Sequence, residues 1–323
     1  SSGRFLLSIT AYKPHTLFTH SSHTPPSCVR MKLLALVLLL SVFSSLTLTE
    51  VVEDFESSSC SMFFIQIPNS KHVITPTVFR GDQYKKICQR WNNKYTFATL
   101  YDRKHRIPVY SAYTFWGQNT NLRRNNDWKN EPQLENMNRP EMREITDAEI
   151  DNFFHQAVDR DYRGNNLYTR GHVFPYQYAG NQDQADSTFT FTNAAPQTKQ
   201  SNGDWADQVE TPMKGVIKNN CNPNRSNPAF IVTGVVPGNK WIKIMRNNRI
   251  IPKGINIPIY YWTAFCCYSN QSTRISKAYL YWQNPELKSY ETSYMSVNML
   301  NERLSSYYKI KFKFKVFGDV CLT

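Results

Sequence analysis

The order of hydrophobic patterns in the middle of this chain constrains its fold more than any other feature. A segment containing His172 is followed by residues 187–192, where hydroxyl and aromatic side chains alternate as they do in a strand. Across residues 198–218 apolar side chains recur every three or four positions, which predicts a helix that Pro212 kinks or ends. If these elements pack together, His172 and Asn202 face one cleft. The order predicts an α+β domain containing a strand, strand and helix unit.

Three other segments have recognisable patterns. Residues 95–100 and 107–115 are rich in β-branched and aromatic side chains, which predicts the two strands of a hairpin. Residues 147–161 fit either a helix or a loop with a single turn. Residues 309–316 alternate lysine with apolar residues, which predicts a strand with one buried face. The lysines either line a nucleic-acid groove or, as we favour, form a solvated face that prevents edge pairing.

The start of the chain has the pattern of a secretory signal. An apolar run over residues 33–43 follows Met31 and Lys32, and it is too short to cross a bilayer comfortably. We favour a cleaved signal over an uncleaved anchor helix because of this length and the flanking residues. The small residues Thr47 and Thr49 place the expected cleavage before Glu50.

This interpretation divides the chain into three parts. Residues 1–30 are expected to be leader or non-native sequence, because Met31 is the first methionine and a signal peptide normally begins a protein. Residues 31–49 form the predicted signal peptide. Residues 50–323 form one predicted domain, since no linker, repeat or low-complexity tract divides them. The mature protein is therefore expected to be extracellular and to have no membrane span.

The predicted mature chain is basic. Residues 50–323 contain 34 of the 38 Lys and Arg residues and all 25 acidic residues, which gives a net charge of +9. A basic secreted protein is attracted to polyanions such as nucleic acid, heparin-like glycans or anionic cell surfaces. Charge alone leaves the choice among these partners open.

The cysteines favour disulfides over metal binding. Six of the seven cysteines follow residue 50, an even number that fits an oxidising compartment, and no pair has zinc-ligand spacing. The pairing is left open, although the adjacent Cys266 and Cys267 are expected to take separate partners. Residues 224–226 and 270–272 form glycosylation sequons, which also fit secretion.

The residues around His172 have the side chains that phosphodiester cleavage requires. His172 can accept a proton from water near neutral pH, Arg170 can hold a phosphate, and Asn202 can bind a hard metal ion. Each also has a structural interpretation. A single histidine is commonly structural, Asn202 with Gly203 fits a turn before a helix, and Arg124 lies in what reads as a solvated basic loop.

Several motifs in this order resemble the DNA/RNA non-specific endonuclease family, whose members have a ββα-metal site. The resemblance covers most of residues 60–320, and its most specific part is the Arg170-Gly171-His172 run. It is carried further by residues 84–89, 97–102, 106–113, 156–158 and 161–162, by Asn193-x-x-Pro196-Gln197, and by an Asn eight residues before Glu210. The family implies an α+β fold with a central antiparallel sheet, flanking helices and long loops.

The resemblance implies a role for each site residue. His172 would be the general base, and Asn202 the direct protein ligand of Mg²⁺, or of Mn²⁺ in its place, with waters and phosphate oxygens completing the coordination. Glu210, about 80° around the helix from Asn202, would contact the water shell of the metal. Asn193 would orient the site by hydrogen bonding. The phosphate would be held by Arg170 and Arg124.

One position departs from the family motif. Thr169 stands where the family usually has Asp. We count Thr169 among the substrate-binding residues, because it can donate and accept hydrogen bonds, but it brings no negative charge.

The motifs predict a secreted, Mg²⁺-dependent endonuclease that hydrolyses DNA and RNA to products with 5′-phosphate ends, and no obligate protein partner. The alternative is a weakened or inactive relative that acts as an extracellular polyanion-binding protein.

Overall fold

A computed structural model describes residues 50–323, except residues 68, 118–120, 140, 270, 272 and 285–288. The predicted leader and signal peptide, residues 1–49, lie outside the described residues. Two residues of the second sequon, 270 and 272, lie outside them as well.

An antiparallel sheet forms the centre of the described region. Its strand order is β1-β4-β5-β6-β9-β10-β11-β12. The bounds are β1 Val51–Val52, β4 Tyr84–Trp91, β5 Lys94–Asp102, β6 Ile107–Phe115, β9 Ala229–Arg246, β10 Arg249–Tyr268, β11 Arg274–Asn284 and β12 Ser289–Met295. Strands β5 and β6 pair antiparallel and confirm the hairpin predicted from residues 95–100 and 107–115.

Two short ribbons accompany the main sheet. The first pairs β2 (Ile65–Gln66) with β3 (Val73–Ile74). The second pairs β7 (Tyr168–His172) with β8 (Ala194–Thr198) and carries most of the predicted site.

The α-helices of the described region are short. They are α1 Asp159–Arg163, α2 Gln182–Ser187, α3 Lys199–Trp205, α4 Thr211–Cys221 and α5 Val297–Tyr307. A π-helical turn, Ala206–Glu210, joins α3 to α4. The helix predicted over residues 198–218 is therefore confirmed, and Pro212 lies in the first turn of α4 without breaking it. Residues 147–161 contain a 3₁₀ turn, Asp147–Asn152, and the start of α1, which is closer to the predicted loop with a turn.

The main sheet is covered on both faces. Tyr261 and Trp262 are adjacent on β10 and both fully buried, but they belong to different hydrophobic cores because successive strand residues point to opposite faces. Tyr261 packs in the core that contains Trp205 of α3, and Trp262 in the core that contains Leu300 of α5. The β7–β8 ribbon, α3 and α4 therefore lie on the Tyr261 face.

The strand predicted over residues 187–192 is wrong. Ser187 ends α2, and Phe191–Asn193 forms a 3₁₀ turn. The hydroxyl of Ser187 donates to the Gln184 carbonyl at 2.7 Å, and that of Thr188 donates to the Ala185 carbonyl at 2.8 Å. Such local side-chain bonds compete with strand pairing. The strand instead begins at Ala194.

The strand predicted over residues 309–316 is also wrong, and its apolar residues are buried only in the second half, since Phe312 is 50% exposed. Phe314 and Val316 are buried in the core. Their backbone N–H groups donate to the side chains of Ser305 (2.7 Å) and Asn301 (3.0 Å) rather than to another strand. The segment is an irregular tail anchored by side-chain acceptors.

Three disulfides link the described cysteines. They are Cys60–Cys88, Cys221–Cys267 and Cys266–Cys321. The prediction that Cys266 and Cys267 take separate partners is confirmed. The Cys221–Cys267 bond ties the end of α4 to β10. Among the described residues no helix has the length and apolar character needed to cross a bilayer.

Two carboxyl groups meet in the interior beside β1. Glu50 and Glu131 are both fully buried, and the Glu50 backbone N–H donates to Gln133 Oε1 at 2.7 Å. Burial raises the pKa of Glu131 to about 7, and burial together with the neighbouring Glu131 carboxyl raises the pKa of Glu50. The folded state therefore holds protons that the unfolded chain releases above about pH 4.5.

We expect the free energy of unfolding to depend on pH because of the Glu50 and Glu131 carboxyl groups. Because both pKa values are raised in the folded state, their contribution is fully present below about pH 4.5 and is lost as the pH rises through about 7. Glu131→Gln should stabilise the protein by ~1–3 kcal/mol at pH 8 and have little effect at pH 5. Thermal unfolding at both pH values tests this, with exposed Glu302→Gln as the control. An equal effect at the two pH values would contradict it.

Candidate active site

The β7–β8 ribbon and α3 form a strand, strand and helix unit that positions the predicted site. Thr169 pairs with Gln197 and His172 with Ala194 across the ribbon. Gly171 allows this pairing, because a Cβ there would lie 2.2 Å from Gln197 Oε1. The side chain of Thr198 then accepts from the Ser201 backbone N–H at 3.0 Å and caps α3, so Asn202 follows within one turn.

His172 lies among aromatic side chains and one cation. Its ring centroid is 5.0 Å from that of Trp128 and 4.6 Å from that of Phe189. Burial and then the positive charge of Arg124 lower the pKa of His172 to about 3, against a hydrogen bond to the backbone of Arg170 that raises it. His172 is therefore neutral at physiological pH and can accept a proton.

The two ring nitrogens of His172 differ. Nε2 is shielded from solvent and has no hydrogen-bond partner among the described residues. The hydrogen bond to Arg170 therefore uses Nδ1, which leaves the Nε2 lone pair available for a proton.

Arg170 lies close to His172 but is already engaged. Its guanidinium forms an ion pair with Asp159, and its carbon lies 5.5 Å from the ring centroids of both Trp128 and Tyr162. Its Nε is buried without a partner among the described residues. Arg170 is thus held in place with one donor free for an anion.

Asn202 contacts Thr169 rather than His172. Asn202 Nδ2 donates to Thr169 Oγ1 at 3.4 Å, and Thr169 Oγ1 donates to the Gln197 carbonyl at 3.0 Å. These two linked hydrogen bonds fix the orientation of the Asn202 amide. They leave Asn202 Oδ1 without a hydrogen-bond partner among the described residues. No hydrogen bond joins Asn202 to His172 within the described region. His172 on β7 and Asn202 on α3 therefore lie on adjacent elements of the same unit.

The residues present fit a hydrated metal ion with one protein ligand. Buried polar groups near Asn202 lack hydrogen-bond partners within the described region: Ser201 Oγ and both amide atoms of Gln197. An unpaired buried polar group costs about 1–3 kcal/mol, so these groups favour a polar ligand. No cluster of three or more His, Cys, Asp or Glu suited to a metal exists among the described residues. Mg²⁺ keeps several waters and needs few protein oxygens, so Asn202 Oδ1 is the candidate ligand.

The π-turn changes the predicted position of Glu210. Glu210 follows Asn202 by eight residues, and in a regular helix it would lie about 80° around the axis. The π-turn adds one residue to a turn, so the interval is close to two full turns and Glu210 lies on the same side as Asn202, about 11 Å along the axis. The angle predicted from the sequence is therefore wrong.

Glu210 is buried and contacts the turn that follows β7. Its Oε2 accepts from Gln177 Nε2 at 2.6 Å, and Lys214 Nζ donates to Gln177 Oε1 at 2.9 Å. Burial raises the pKa of Glu210 to about 7, while the Gln177 hydrogen bond lowers it. Glu210 can therefore gain or lose a proton near neutral pH.

Asn193 is a positioning residue. It is fully buried, and its Oδ1 accepts from Ser111 Oγ at 2.9 Å and from the Phe174 N–H at 2.8 Å. Its Nδ2 donates to the carbonyls of Phe174 and Thr188, each at 3.0 Å. With both amide atoms occupied, Asn193 fixes the chain after His172 and does not face a substrate.

Arg124 joins the site through Phe189. Its guanidinium carbon lies 5.7 Å from the Phe189 ring, which also contacts His172. The sequence did not indicate Trp128 or Asp159 as site residues. The only available signal for Trp128 was its position in the basic segment that contains Arg124. Asp159 had none, because its partner Arg170 is brought to it by folding.

Comparison with known proteins agrees with these motifs. A family model described as DNA/RNA non-specific endonuclease matches residues 79–312. Endonuclease domain-containing 1 protein of Homo sapiens is 29% identical over 197 residues, and the match covers 59% of this chain and 36% of that protein. Its Mus musculus counterpart is 27% identical over 198 residues, with the same coverage.

The motifs had also indicated a resemblance to the vertebrate endonuclease domain-containing 1 proteins, and these matches confirm it. The chain spans only about a third of the length of these relatives. A chain in the crystal structure of the EndoG/EndoGI complex aligns with a TM-score of 0.46 and 14% identity. That alignment covers 69% of this chain and 85% of the other.

The family match extends over most of the described region and includes the whole strand, strand and helix unit. The α+β fold with its large antiparallel sheet and the ββα arrangement around His172 agree with the expectation from the motifs. This chain belongs to the DNA/RNA non-specific endonuclease family.

Proposed function

We propose that the protein is a secreted, Mg²⁺-dependent endonuclease that hydrolyses the phosphodiester bonds of both DNA and RNA. The observation that carries the proposal is the ββα unit, which presents a neutral His172 and an Asn202 amide oriented by Thr169. A base and a hard-metal ligand on adjacent elements are what hydrolysis of a phosphodiester needs.

His172 would take a proton from the attacking water through Nε2, while its bond to the Arg170 backbone holds the ring. The bound anionic phosphate would raise the pKa of His172 and strengthen it as a base. Asn202 would hold Mg²⁺, or Mn²⁺ in its place, which would supply positive charge next to the phosphate and the leaving oxygen. Cleavage of the P–O3′ bond would leave 5′-phosphate ends.

Arg124 and Arg170 would hold the substrate phosphate. Arg124 is exposed and close to His172, and Arg170 Nε is free although its guanidinium is paired with Asp159. These contacts reach the backbone and carry no base information, so we expect little sequence selectivity.

We also propose that the protein is secreted, with residues 31–49 as a signal peptide. The three disulfides support an oxidising compartment. The exposed Asn224 lies in a sequon turn, where its Oδ1 accepts from the Ser226 N–H at 2.9 Å, and it is a proposed glycosylation site.

A weakened or inactive polyanion-binding protein is the second candidate. Two observations favour it: Thr169 stands where the family usually has Asp, and Nε2 of His172 is shielded. Such a protein would bind nucleic acid or heparin with a strong salt dependence, without metal-dependent products.

A direct test compares DNA and RNA of the same sequence. We expect both to be cleaved at similar rates with Mg²⁺, and we expect the products to be substrates for a 5′-phosphate-dependent exonuclease. Cleavage of only one polymer, or products with 3′-phosphate ends, would contradict the proposal.

Thr169 offers a paired test of the metal site. Thr169→Val removes the hydroxyl that orients Asn202, so we expect about a 10-fold loss of Mg²⁺ affinity. Thr169→Asp adds the negative charge found in most of the family, so we expect Mg²⁺ affinity and cleavage rate to rise. Titration calorimetry with Mg²⁺ and initial rates measure both effects. Unchanged Mg²⁺ binding in Thr169→Val would show that Thr169 has no such role.

A further inference from the structure

The hairpin of β9 and β10 extends beyond the strands beside it. Strand β6 pairs with β9 only as far as Gly234, and β11 pairs with β10 only from Tyr260. From Pro237 to Arg246, β9 pairs with β10 alone, a length of roughly 30 Å at about 3.3 Å per residue. The hairpin therefore reaches well past the main sheet.

A cavity of about 490 Å³ lies where the β5–β6 turn meets this hairpin. It is lined by the four consecutive basic residues 103–106, by Trp241 and by Lys253. The His105 ring stacks on Trp241 with centroids 5.1 Å apart, and the Asn256 N–H donates to the His105 carbonyl at 2.9 Å. The turn and hairpin are thus joined into one surface.

Three acidic groups near this cavity have basic partners. Arg103 forms an ion pair with Asp82 at 2.7 Å, and the rings of His105 and His155 hydrogen-bond to Asp102 (2.6 Å) and Glu135 (2.8 Å). Four permanent cations in the lining outnumber these three carboxylates: Arg103, Lys104, Arg106 and Lys253. Lys104 and Lys253 are exposed, and their ammonium groups have no acidic partner among the described residues. The cavity therefore carries an excess of positive charge.

A second cavity of about 630 Å³ lies on the other side of Trp241. Lys243 and Tyr168 line it, and Lys243 is exposed without an acidic partner in the described region. Tyr168 is the first residue of β7, the strand that ends at His172. Trp241 lines both cavities, so the two cavities adjoin at this residue, and the second one includes the first residue of the strand that carries the site. We call Lys104, Lys253, Trp241 and Lys243 the cationic track.

We propose that the cationic track binds the phosphodiester backbone of a nucleic-acid strand at a distance from the phosphate held beside His172. This inference rests on the proposed function, because it takes nucleic acid to be the substrate. The three lysines would contact phosphates without reading bases, and Trp241 and His105 offer aromatic faces on which a base can stack. Those aromatic faces favour a nucleic acid over a sulfated glycan.

The test compares two double variants of the full chain. Lys104→Gln/Lys253→Gln removes two charges from the track. Lys71→Gln/Arg303→Gln removes two exposed charges from segments that pack in the other core. Binding of a long single-stranded oligonucleotide is measured in EDTA over a range of salt concentrations, and binding of a trinucleotide serves as the short-ligand comparison.

We expect the track variant to reduce the slope of log K against log salt by about 1.4 for the long strand, and to leave trinucleotide binding unchanged. The control variant should match the parent protein. The proposal is overturned if the two variants have equal slopes. It is also overturned if the track variant loses equal affinity for the long strand and the trinucleotide, or if the protein binds heparin but not DNA. Cleavage assays separate the two claims. If the track variant shows the slope change but the parent protein never cleaves, the track is retained and the proposed function fails. If the parent protein cleaves but the slopes of the two variants are equal, the proposed function is retained and the track fails.

Discussion

His172→Ala lowers kcat/KM for nucleic-acid cleavage by about 10²–10⁴-fold in our account, because it removes the proton acceptor from the attacking water. The variant should fold normally, since the contacts of the ring with other described residues are aromatic, apart from one hydrogen bond to the Arg170 backbone. Initial rates on DNA measure the loss, and circular dichroism checks the fold.

The matched control is His72→Ala. His72 is exposed, and its ring nitrogen Nδ1 lies 3.3 Å from the Glu56 carboxylate. We expect this variant to cleave at the parental rate. If His172→Ala also retains the parental rate, His172 is not the base and the proposed mechanism fails.

Asn202→Ala should abolish metal-dependent cleavage, with a loss of more than about 100-fold, because several kcal/mol of charge stabilisation depend on the bound ion. Asn202→Ala should also abolish the stabilisation of the protein by Mg²⁺, which can be measured without an activity assay. Mg²⁺ at 100 times its dissociation constant should stabilise the parent protein by about 2.7 kcal/mol, and that gain should disappear in the variant.

The control for this change is Asn220→Ala. Asn220 lies near the end of α4, is exposed, and donates from Nδ2 to the Val216 carbonyl at 2.7 Å. Its variant should keep the full Mg²⁺-dependent stabilisation. A parental response in Asn202→Ala would place the metal elsewhere.

Local patterns were sufficient to predict much of the fold. Strands β5 and β6 carry long runs of β-branched and aromatic residues, and the helix after Thr198 has a clear apolar spacing. The separate partners of Cys266 and Cys267 followed from their adjacency, because two neighbouring cysteines rarely bond to each other.

Patterns failed where side chains, rather than neighbouring strands, satisfy the backbone. Residues 187–192 alternate like a strand, yet the hydroxyls of Ser187 and Thr188 bond to carbonyls three residues earlier. Residues 309–316 alternate as well, but Asn301 and Ser305 supply their acceptors from α5. Neither arrangement is visible in the periodicity of the segment itself.

The sequence indicates candidates for the site but not their geometry. His172 and Asn202 are candidates from residue type together with the family resemblance, and Arg124 is a candidate from the resemblance. The π-turn that brings Glu210 to the Asn202 side of the helix has no propensity signal of its own. The cation–π contact of Arg170 with Trp128 joins residues 42 positions apart, so only folding reveals it.

The most direct test of the central claim is plasmid cleavage by the purified protein in Mg²⁺ and in EDTA, with binding to the same DNA measured in parallel. The account predicts conversion of supercoiled plasmid to nicked and then linear DNA in Mg²⁺, and binding without cleavage in EDTA. Intact plasmid in Mg²⁺ beside a folded protein that binds DNA would contradict the nuclease account and favour a polyanion-binding protein.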